Sequence, residues 1–258
     1  MSKPVLIITG ASSGIGAATA RRMARDGLRI TLAARREDRL RSLAAEVKEL
    51  GGEALVLPTD VNQRADLENM VQSTLDYWER VDILFNNAGV GYDDALEKMD
   101  PGKIYAEIQT NLVAVILSTQ VVLPVMLCQK SGHIINNSSI NGLVATPHNT
   151  VYCATKFGVV GFSEALRRKL RGTGIHVSTF CTGNTPSEIT PAYKKHVDGS
   201  PDAPKLKGLM PTTYVADQVA ELIRRPRRML IIPKSWRPLI SLTYLFPGLT
   251  DVLLKYFT

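Results

Sequence analysis

At 258 residues, 45% of them hydrophobic and 21% charged, the chain is long enough to bury one extensive core without disulfides and too apolar to be disordered. Its formal charge of +7 would suit nucleic acid. However, the two densest basic clusters, Arg167-Arg168-Lys169-Leu170-Arg171 and Arg224-Arg225-Pro226-Arg227-Arg228, accompany no nucleic-acid motif; they read as solvated helix ends, with no nucleic-acid partner. Cys128, Cys153 and Cys181 are odd in number and widely spaced, and His133, His148, His176 and His196 have no ligand spacing. That pattern predicts a reducing, cytoplasmic setting and no metal.

The first apolar run, over 5–8, is too short for a signal peptide and meets Thr9-Gly10 at once. From there β-branched apolar runs alternate with segments of helical period. Strands are predicted over 5–8, 30–33, 54–57, 81–85, 133–137 and 175–181, and helices over 17–25, 39–50, 67–78, about 104–128 and 151–170. This rhythm predicts a doubly wound α/β fold, a mostly parallel sheet of about seven strands covered on both faces, in a single domain spanning 1–258. Past Cys181 the texture changes: Pro186, Pro191, Pro201, Pro204 and Pro211 stand among polar residues, a stretch too long for a connector. Residues 184–211 are read as a substrate lid. A helix over 213–223 and a last strand over 229–232 follow. The tail, 234–258, is rich in Leu and aromatics but broken by Pro238 and Pro247 and interrupted by Arg237, Asp251 and Lys255. It is too short to span a bilayer; it is expected to pack on the cleft or a partner subunit, with membrane-surface association through this tail as the less favoured alternative.

The turn from first strand to first helix reads Thr9-Gly10-Ala11-Ser12-Ser13-Gly14-Ile15-Gly16. A helix start presents unpaired N–H groups and the positive end of the helix dipole, and glycines let a phosphate approach the backbone closely. The second strand runs out as Leu32-Ala33-Ala34-Arg35-Arg36, where dinucleotide folds distinguish a ribose hydroxyl from a ribose phosphate. A carboxylate about 4 Å from a 2′-phosphate would cost roughly 4 kcal/mol at an effective dielectric near 20, and a guanidinium would gain a similar gross amount. Ala34 removes the repulsion and Arg35 supplies the attraction, so NADP(H) is the predicted cofactor. Glu37 and Asp38 fall in the first turn of the next helix, where acids suit the dipole.

Tyr152-Cys153-Ala154-Thr155-Lys156 places Tyr152 and Lys156 on one helix face, a spacing that alone says little. Carbonyl reduction by hydride leaves an alkoxide, so a proton donor is needed at oxygen. An ammonium about 5 Å from a phenol favours the phenolate by roughly two pK units at an effective dielectric near 20, which would bring Tyr152 into working range. Ser138 and Ser139 close the predicted strand 133–137 at the carboxyl edge of the sheet, where open α/β folds bind ligands.

Taken in order, Thr9 to Gly16, Asp60-Val61, Asn86-Asn87-Ala88-Gly89, Asn111, Ser139 and Tyr152 with Lys156 resemble the motif set of the short-chain dehydrogenase/reductases. The resemblance runs from about 5 to 183. It implies a Rossmann-type fold and a catalytic set of Asn111, Ser139, Tyr152 and Lys156. Ser139 would orient the substrate, Tyr152 act as acid/base, Lys156 also hold the nicotinamide ribose, and Asn111 support a proton-relay water. The implied cofactor set is Gly10, Ser12, Ser13, Gly14, Ile15 and Gly16, Arg35 and Arg36, Asp60 and Val61 at adenine, Asn87, Ala88 and Gly89 at the adenosine ribose, and Gly183 and Thr185. Ser12 and Arg35 match positions used for the 2′-phosphate. Thr182-Gly183-Asn184-Thr185-Pro186-Ser187 departs from the family: Thr182 stands in place of proline and Ser187 in place of threonine, which predicts a less rigid turn.

The sequence therefore predicts an NADP(H)-dependent oxidoreductase that interconverts a carbonyl and an alcohol on a hydrophobic small molecule, run as reduction. A homodimer or homotetramer is implied by the resemblance. Two other readings stand beside it. One is a membrane-surface lipid or steroid alcohol dehydrogenase; the other is a non-catalytic NADP-sensing regulator, for which Ser139, Tyr152 and Lys156 together would have little use.

Overall fold

Seven parallel strands in the order β3-β2-β1-β4-β5-β6-β7 form one sheet in a computed structural model that describes residues 3–147, 149–189 and 208–254. In chain order the elements are β1 (Val5–Thr9), α1 (Gly14–Ala24), β2 (Arg29–Ala34), α2 (Glu37–Glu49), β3 (Glu53–Pro58), α3 (Arg64–Trp78) and β4 (Ile83–Asn86). They continue with α4 (Pro101–Ile108), α5 (Ala114–Gln129), β5 (Gly132–Ser139), α6 (Thr150–Lys169), β6 (Ile175–Thr182), α7 (Thr212–Arg224), β7 (Met229–Ile232), α8 (Arg237–Leu245) and α9 (Pro247–Leu254). The strand order reverses between β1 and β4, and at such a switch point the loops diverge and open a crevice beyond the carboxyl ends.

The central strands are apolar on both faces because helices cover both. Leu6, Ile8, Phe85, Ile135 and Phe180 pack against Met23 of α1, Leu40 and Leu43 of α2 and Val215 and Val219 of α7. The alternate residues Ile7, Leu84, Ile134 and Val177 face Leu67 and Met70 of α3, Val122 and Met126 of α5 and Leu166 of α6. Within this apolar frame lies one buried polar layer. Asn86 and Asn136 sit opposite each other on β4 and β5, and the Asn86 amide donates to Asn136 Oδ1 at 2.8 Å. Asn136 donates in turn to Ser163 of α6 at 2.9 Å, and Ser118 of α5 donates to Asn86 Oδ1 at 2.6 Å. The layer fixes two helices to the sheet.

Most expected elements lie within a residue or two of their places. The expected helix over 104–128 differs: it begins at Pro101, capped by Asp100 accepting from the Gly102 amide, and is interrupted by a π-turn over Gln109–Val113. The extra residue in that turn lets the fully buried Asn111 pair with Val90, accepting from its amide and donating to its carbonyl at 2.8 Å each. Strand β6 runs on to Thr182, pairing with Ser139 and Ile232. The tail forms two helices. Ile240 and Trp236 on its inner side pack on Ile140, Leu143 and Val144 beside the cleft, while Tyr244, Leu245, Phe246 and Leu249 are exposed. Of the expected lid, 190–207, including Leu206, lies outside the described residues, as do His148, His196 and 255–258. Both basic clusters are ion-paired, with Arg167, Arg168 and Arg228 converging on Glu164, as solvated helix ends would be.

Asn136→Ala removes the centre of the buried layer and leaves Asn86 and Ser163 short of a partner. It is expected to cost about 2–4 kcal/mol in urea denaturation, with no change in strand content by circular dichroism.

Candidate active site

The site begins where β1 stops. At Gly10 the backbone turns with φ 68°, and a Cβ there would lie 2.8 Å from Ala88 Cα. At Gly16 a Cβ would lie 2.5 Å from the Gly10 carbonyl oxygen. The loop is therefore pressed onto the end of β4, and any side chain would lift it off. Helix α1 then starts at Gly14 with no side-chain cap and no acid in its first turn, so its first N–H groups are open to an anion. A cleft of about 380 Å³ lies in front of them. It is lined by Gly10, Ser12, Ser13, Gly14 and Ile15, by Arg35 and Arg36, by Asp60 and Val61, and by Asn87, Ala88 and Gly89. The structure thus gathers the glycine loop and the expected adenosine contacts around one cavity, with Gly16 packed behind it.

At the β2 end of the cleft the better-bound arginine is Arg36. Its Nη2 donates to Ser12 Oγ at 3.0 Å and Ser13 Oγ at 2.9 Å, and its Nη1 to Glu188 Oε2 at 2.6 Å. Arg39 donates to the other oxygen of Glu188. Arg35 lines the same cleft on its exposed side. Partial burial alone would raise the Glu188 carboxyl pKa, but hydrogen bonds from Arg39 and Arg36 hold it below its usual range. Neither Glu188 nor Arg39 was anticipated. Glu188 follows Arg36 by 152 positions, and no local pattern marks it. The segment 187–189 crosses the cleft, with Ile189 accepting from the Gly91 amide at 3.3 Å.

From the glycine loop a hydrogen-bonded chain leads to the expected catalytic residues. Thr9 Oγ1 accepts from the Asn87 amide at 3.0 Å, Asn87 Oδ1 accepts from the Asn137 side chain at 3.1 Å, and the Asn137 carbonyl accepts from Lys156 Nζ at 3.0 Å. Lys156 is 5% exposed. Burial lowers its pKa to about 8, against the opposing pull of Cys181 and Glu107; the Cys181 thiol, itself buried, is pushed up to about 12. The ammonium lies 5.4 Å from the centre of the Tyr152 ring. A Cβ on Gly89 would be 3.2 Å from Asn111 Oδ1 and 3.9 Å from Lys156 Nζ, so Asn111 and Lys156 meet beside the same loop. Ser139 Oγ accepts from the Asn141 amide at 3.1 Å, which leaves its proton available to donate. Ser138 is turned inward to the Lys156 carbonyl at 3.0 Å. A polarised phenol, a spare hydroxyl and a buried ammonium can together bind a carbonyl oxygen and protonate it.

Gly183 and Thr185 do not line the described cleft, whereas Ser187 does. Thr185 Oγ1 donates to the Gly183 carbonyl at 3.2 Å, and the Gly183 amide donates to Ile232 at 2.9 Å. The turn without proline is tied by hydroxyls and by the neighbouring strand. Among the described residues no three His, Cys, Asp or Glu side chains cluster as metal ligands.

A family model described as short chain dehydrogenase matches residues 4–198. The ketoacyl reductase HetN of Nostoc sp. is 31% identical over 231 residues, 89% of this chain and 78% of its own. A 3-oxoacyl-(acyl-carrier-protein) reductase of Synechocystis sp. is 35% identical over 191 residues, 74% of this chain and 77% of its own. Among solved structures, a short chain dehydrogenase/reductase from Burkholderia phymatum in complex with NAD aligns with a TM-score of 0.86 at 27% identity, covering 96% of this chain and 95% of its own. A short-chain dehydrogenase from Sphingobium yanoikuyae in complex with NADPH aligns with a TM-score of 0.81 at 31% identity, with the same coverage.

Lowering the Lys156 pKa from 10.5 to about 8 means that the folded chain carries its ammonium at a cost of about 3 kcal/mol at pH 7, relieved as pH rises from 8 towards 10.5. Lys156→Met, of similar volume, is expected to be more stable than the parent at pH 7, with the advantage shrinking by pH 10 in guanidinium denaturation. A Met variant less stable at pH 7 would show that the bond to Asn137 outweighs the desolvation.

Proposed function

The chain belongs to the short-chain dehydrogenase family and is an oxidoreductase, and we propose that it uses NADPH to reduce the carbonyl of a hydrophobic small molecule. The observation that carries this reading is the continuous hydrogen-bonded chain from Thr9 in the glycine loop through Asn87 and Asn137 to Lys156. It joins a dinucleotide cradle to an ammonium beside a phenol.

The cradle fits a phosphorylated dinucleotide. The loop admits no side chains at Gly10 and Gly16, the start of α1 is uncapped, and Arg36, held by Ser12 and Ser13, stands beside Arg35 without a facing acid from β2. Because those hydroxyls accept from Arg36, their own protons remain for a phosphate oxygen. The NADPH complex of the Sphingobium relative supports this cofactor, and the two ketoacyl reductases support a carbonyl substrate. Bound nicotinamide supplies the hydride. The chain's residues do the rest. Ser139 holds the carbonyl oxygen by its free O–H, Tyr152 gives that oxygen its proton, and the Lys156 ammonium stabilises the phenolate left behind. Asn111, clamped to Val90 in the π-turn, holds the loop that approaches Lys156.

Self-association follows from the same frame: Tyr105, Ile116, Leu127 and Phe157 on α4, α5 and α6 are exposed large apolar side chains, suited to pairing with a second copy. The exposed residues Tyr244, Leu245, Leu249 and Val252 on α8 and α9, with Phe246 between the two helices, favour a second reading, the same chemistry on a lipophilic alcohol at a membrane surface. Co-sedimentation with liposomes, lost on deleting 237–258, would establish it.

Carbonyl compounds, ketoacyl thioesters among them, screened by nicotinamide absorbance test the main reading; NADPH should support turnover better than NADH. Tyr152→Phe is expected to lose about 10²–10⁴-fold in kcat. Arg36→Ala should raise the KM for NADPH about tenfold or more, as loss of a charge-assisted bond does, and leave that for NADH little changed. Full activity in the Phe variant would overturn the proton assignment.

A further inference from the structure

Arg36 stands just past the end of β2, where dinucleotide folds tell a ribose phosphate from a ribose hydroxyl, and it already holds an anion of its own chain. Its Nη1 donates to Glu188 Oε2 at 2.6 Å, and Arg39 Nη1 donates to Glu188 Oε1 at 2.5 Å. The other bonds of Arg36 run to the glycine loop: Nε and Nη2 donate to Ser12 Oγ at 3.3 Å and 3.0 Å, and Nη2 also to Ser13 Oγ at 2.9 Å. With those bonds made, no edge of the guanidinium keeps two open N–H groups, which is the grip a phosphate takes.

The carboxylate is enclosed: its side chain is 15% exposed, against 40% and 45% for Arg36 and Arg39. Its neighbours hold it there. A Cβ on Gly14 would lie 3.3 Å from Ser187 Cβ, so 187–189 rests on the uncapped start of α1, and the Ile189 carbonyl accepts from the Gly91 amide at 3.3 Å. An anion facing two guanidinium groups, beside two hydroxyls and an open helix start, is placed as an oxyanion ligand would be.

We propose that Glu188 is a specificity-determining residue, an internal carboxylate that competes with the cofactor's 2′-phosphate for Arg36. NADP(H) binds by displacing it, whereas NAD(H), which brings no anion to this end of the cleft, leaves it seated. This rests on the cofactor reading given above. Two anions on one guanidinium repel each other, and exchanging one for the other keeps Arg36 paired throughout. The preference for NADPH is therefore smaller than the arginines alone would give. A carboxylate fixed on β2 itself would reject the phosphate, while one carried on a separate segment can move aside.

The test is calorimetric titration of the parent, Glu188→Gln and Glu188→Asp with NADP⁺, NAD⁺ and adenosine 2′,5′-bisphosphate. Glu188→Gln is expected to bind NADP⁺ and the bisphosphate about tenfold more tightly, the factor one charge-assisted bond is worth, with NAD⁺ changed less than about twofold. The Asp variant, which keeps the charge on a shorter arm, should gain less. Glu37→Gln is the control for charge alone, because Glu37 lies in the first turn of α2 but pairs with Arg41; it should leave all three affinities within about twofold. Equal changes for NADP⁺ and NAD⁺, no change, or a gain in Glu37→Gln matching that of Glu188→Gln each overturn the proposal, whichever cofactor the enzyme prefers. A gain confined to NADP⁺ and the bisphosphate that still leaves NAD⁺ the tighter ligand would instead overturn the NADPH reading and leave the competition standing.

Discussion

The hydrogen bond from Lys156 Nζ to the Asn137 carbonyl is the constraint around which the site is arranged. A buried ammonium must be held by acceptors, and here the acceptor is backbone at the carboxyl end of β5, so α6 is tied to the sheet at the edge where open α/β folds bind ligands. Asn137 serves both sides of the cleft. Its carbonyl faces α6, and its side chain donates to Asn87 at the end of β4, which in turn grips Thr9 and the glycine loop. One layer below, Asn86 and Asn136 repeat the pairing and extend it to Ser118 and Ser163. Two stacked asparagine pairs thus set the distance between the dinucleotide cradle and the phenol. Their register is fixed because a slip of one residue would turn the amides into the apolar layers on either side.

The cofactor end is governed by a different balance. Arg36 and Arg39 share the Glu188 carboxylate, a forked arrangement that suits oxyanions. The pairs are partly solvated and contribute little to stability. Their consequence is geometric: Glu188 draws 187–189 over the glycine loop, where Ser187 and Ile189 line the cleft. The charge that would favour a 2′-phosphate also fastens 187–189 over the cleft, so the two are coupled through one pair of guanidinium groups.

Much of this was legible in the chain. Alternation of apolar runs with helical periods is enough for a parallel sheet, because strands buried on both faces are mostly apolar and break that pattern only where they reach the site. The glycine loop, Tyr152 and Lys156 could be ordered into a site because each has a fixed place on a strand end or helix face. What escaped notice has physical reasons. Hydrophobic periodicity over 104–128 does not register one extra residue in a turn, so the π-turn at Asn111 passed as regular helix. Nothing in the local sequence marks Glu107 as interior, yet the fold buries it. Arg36 and Glu188 meet across most of the chain, and ion pairs of that separation leave no local trace. Thr185, expected at the cofactor, bonds the Gly183 carbonyl of its own turn and is not among the residues lining the described cleft.

Strand β5 shows how chemistry is fitted into a core. Its first half, His133-Ile134-Ile135, includes the apolar side chains that pack the two faces of the sheet, and its second half, Asn136-Asn137-Ser138-Ser139, is polar yet almost as deeply buried. Such a strand would be unstable if its polar half were merely enclosed. Asn136, Asn137, Ser138 and Ser139 each have a partner: Ser163, Asn87, the Lys156 carbonyl and the Asn141 amide. The partners come from other elements, so the bonds that satisfy the strand also position α6, β4 and the turn after β5. The cost of burying polar groups is thereby converted into rigidity at the reacting atoms. Among the described residues two buried oxygens near the site are left without a hydrogen-bond partner, Oδ1 of Asn137 and Oε1 of Glu107, so the polar layer is closed on the sheet side and not fully closed towards the cleft.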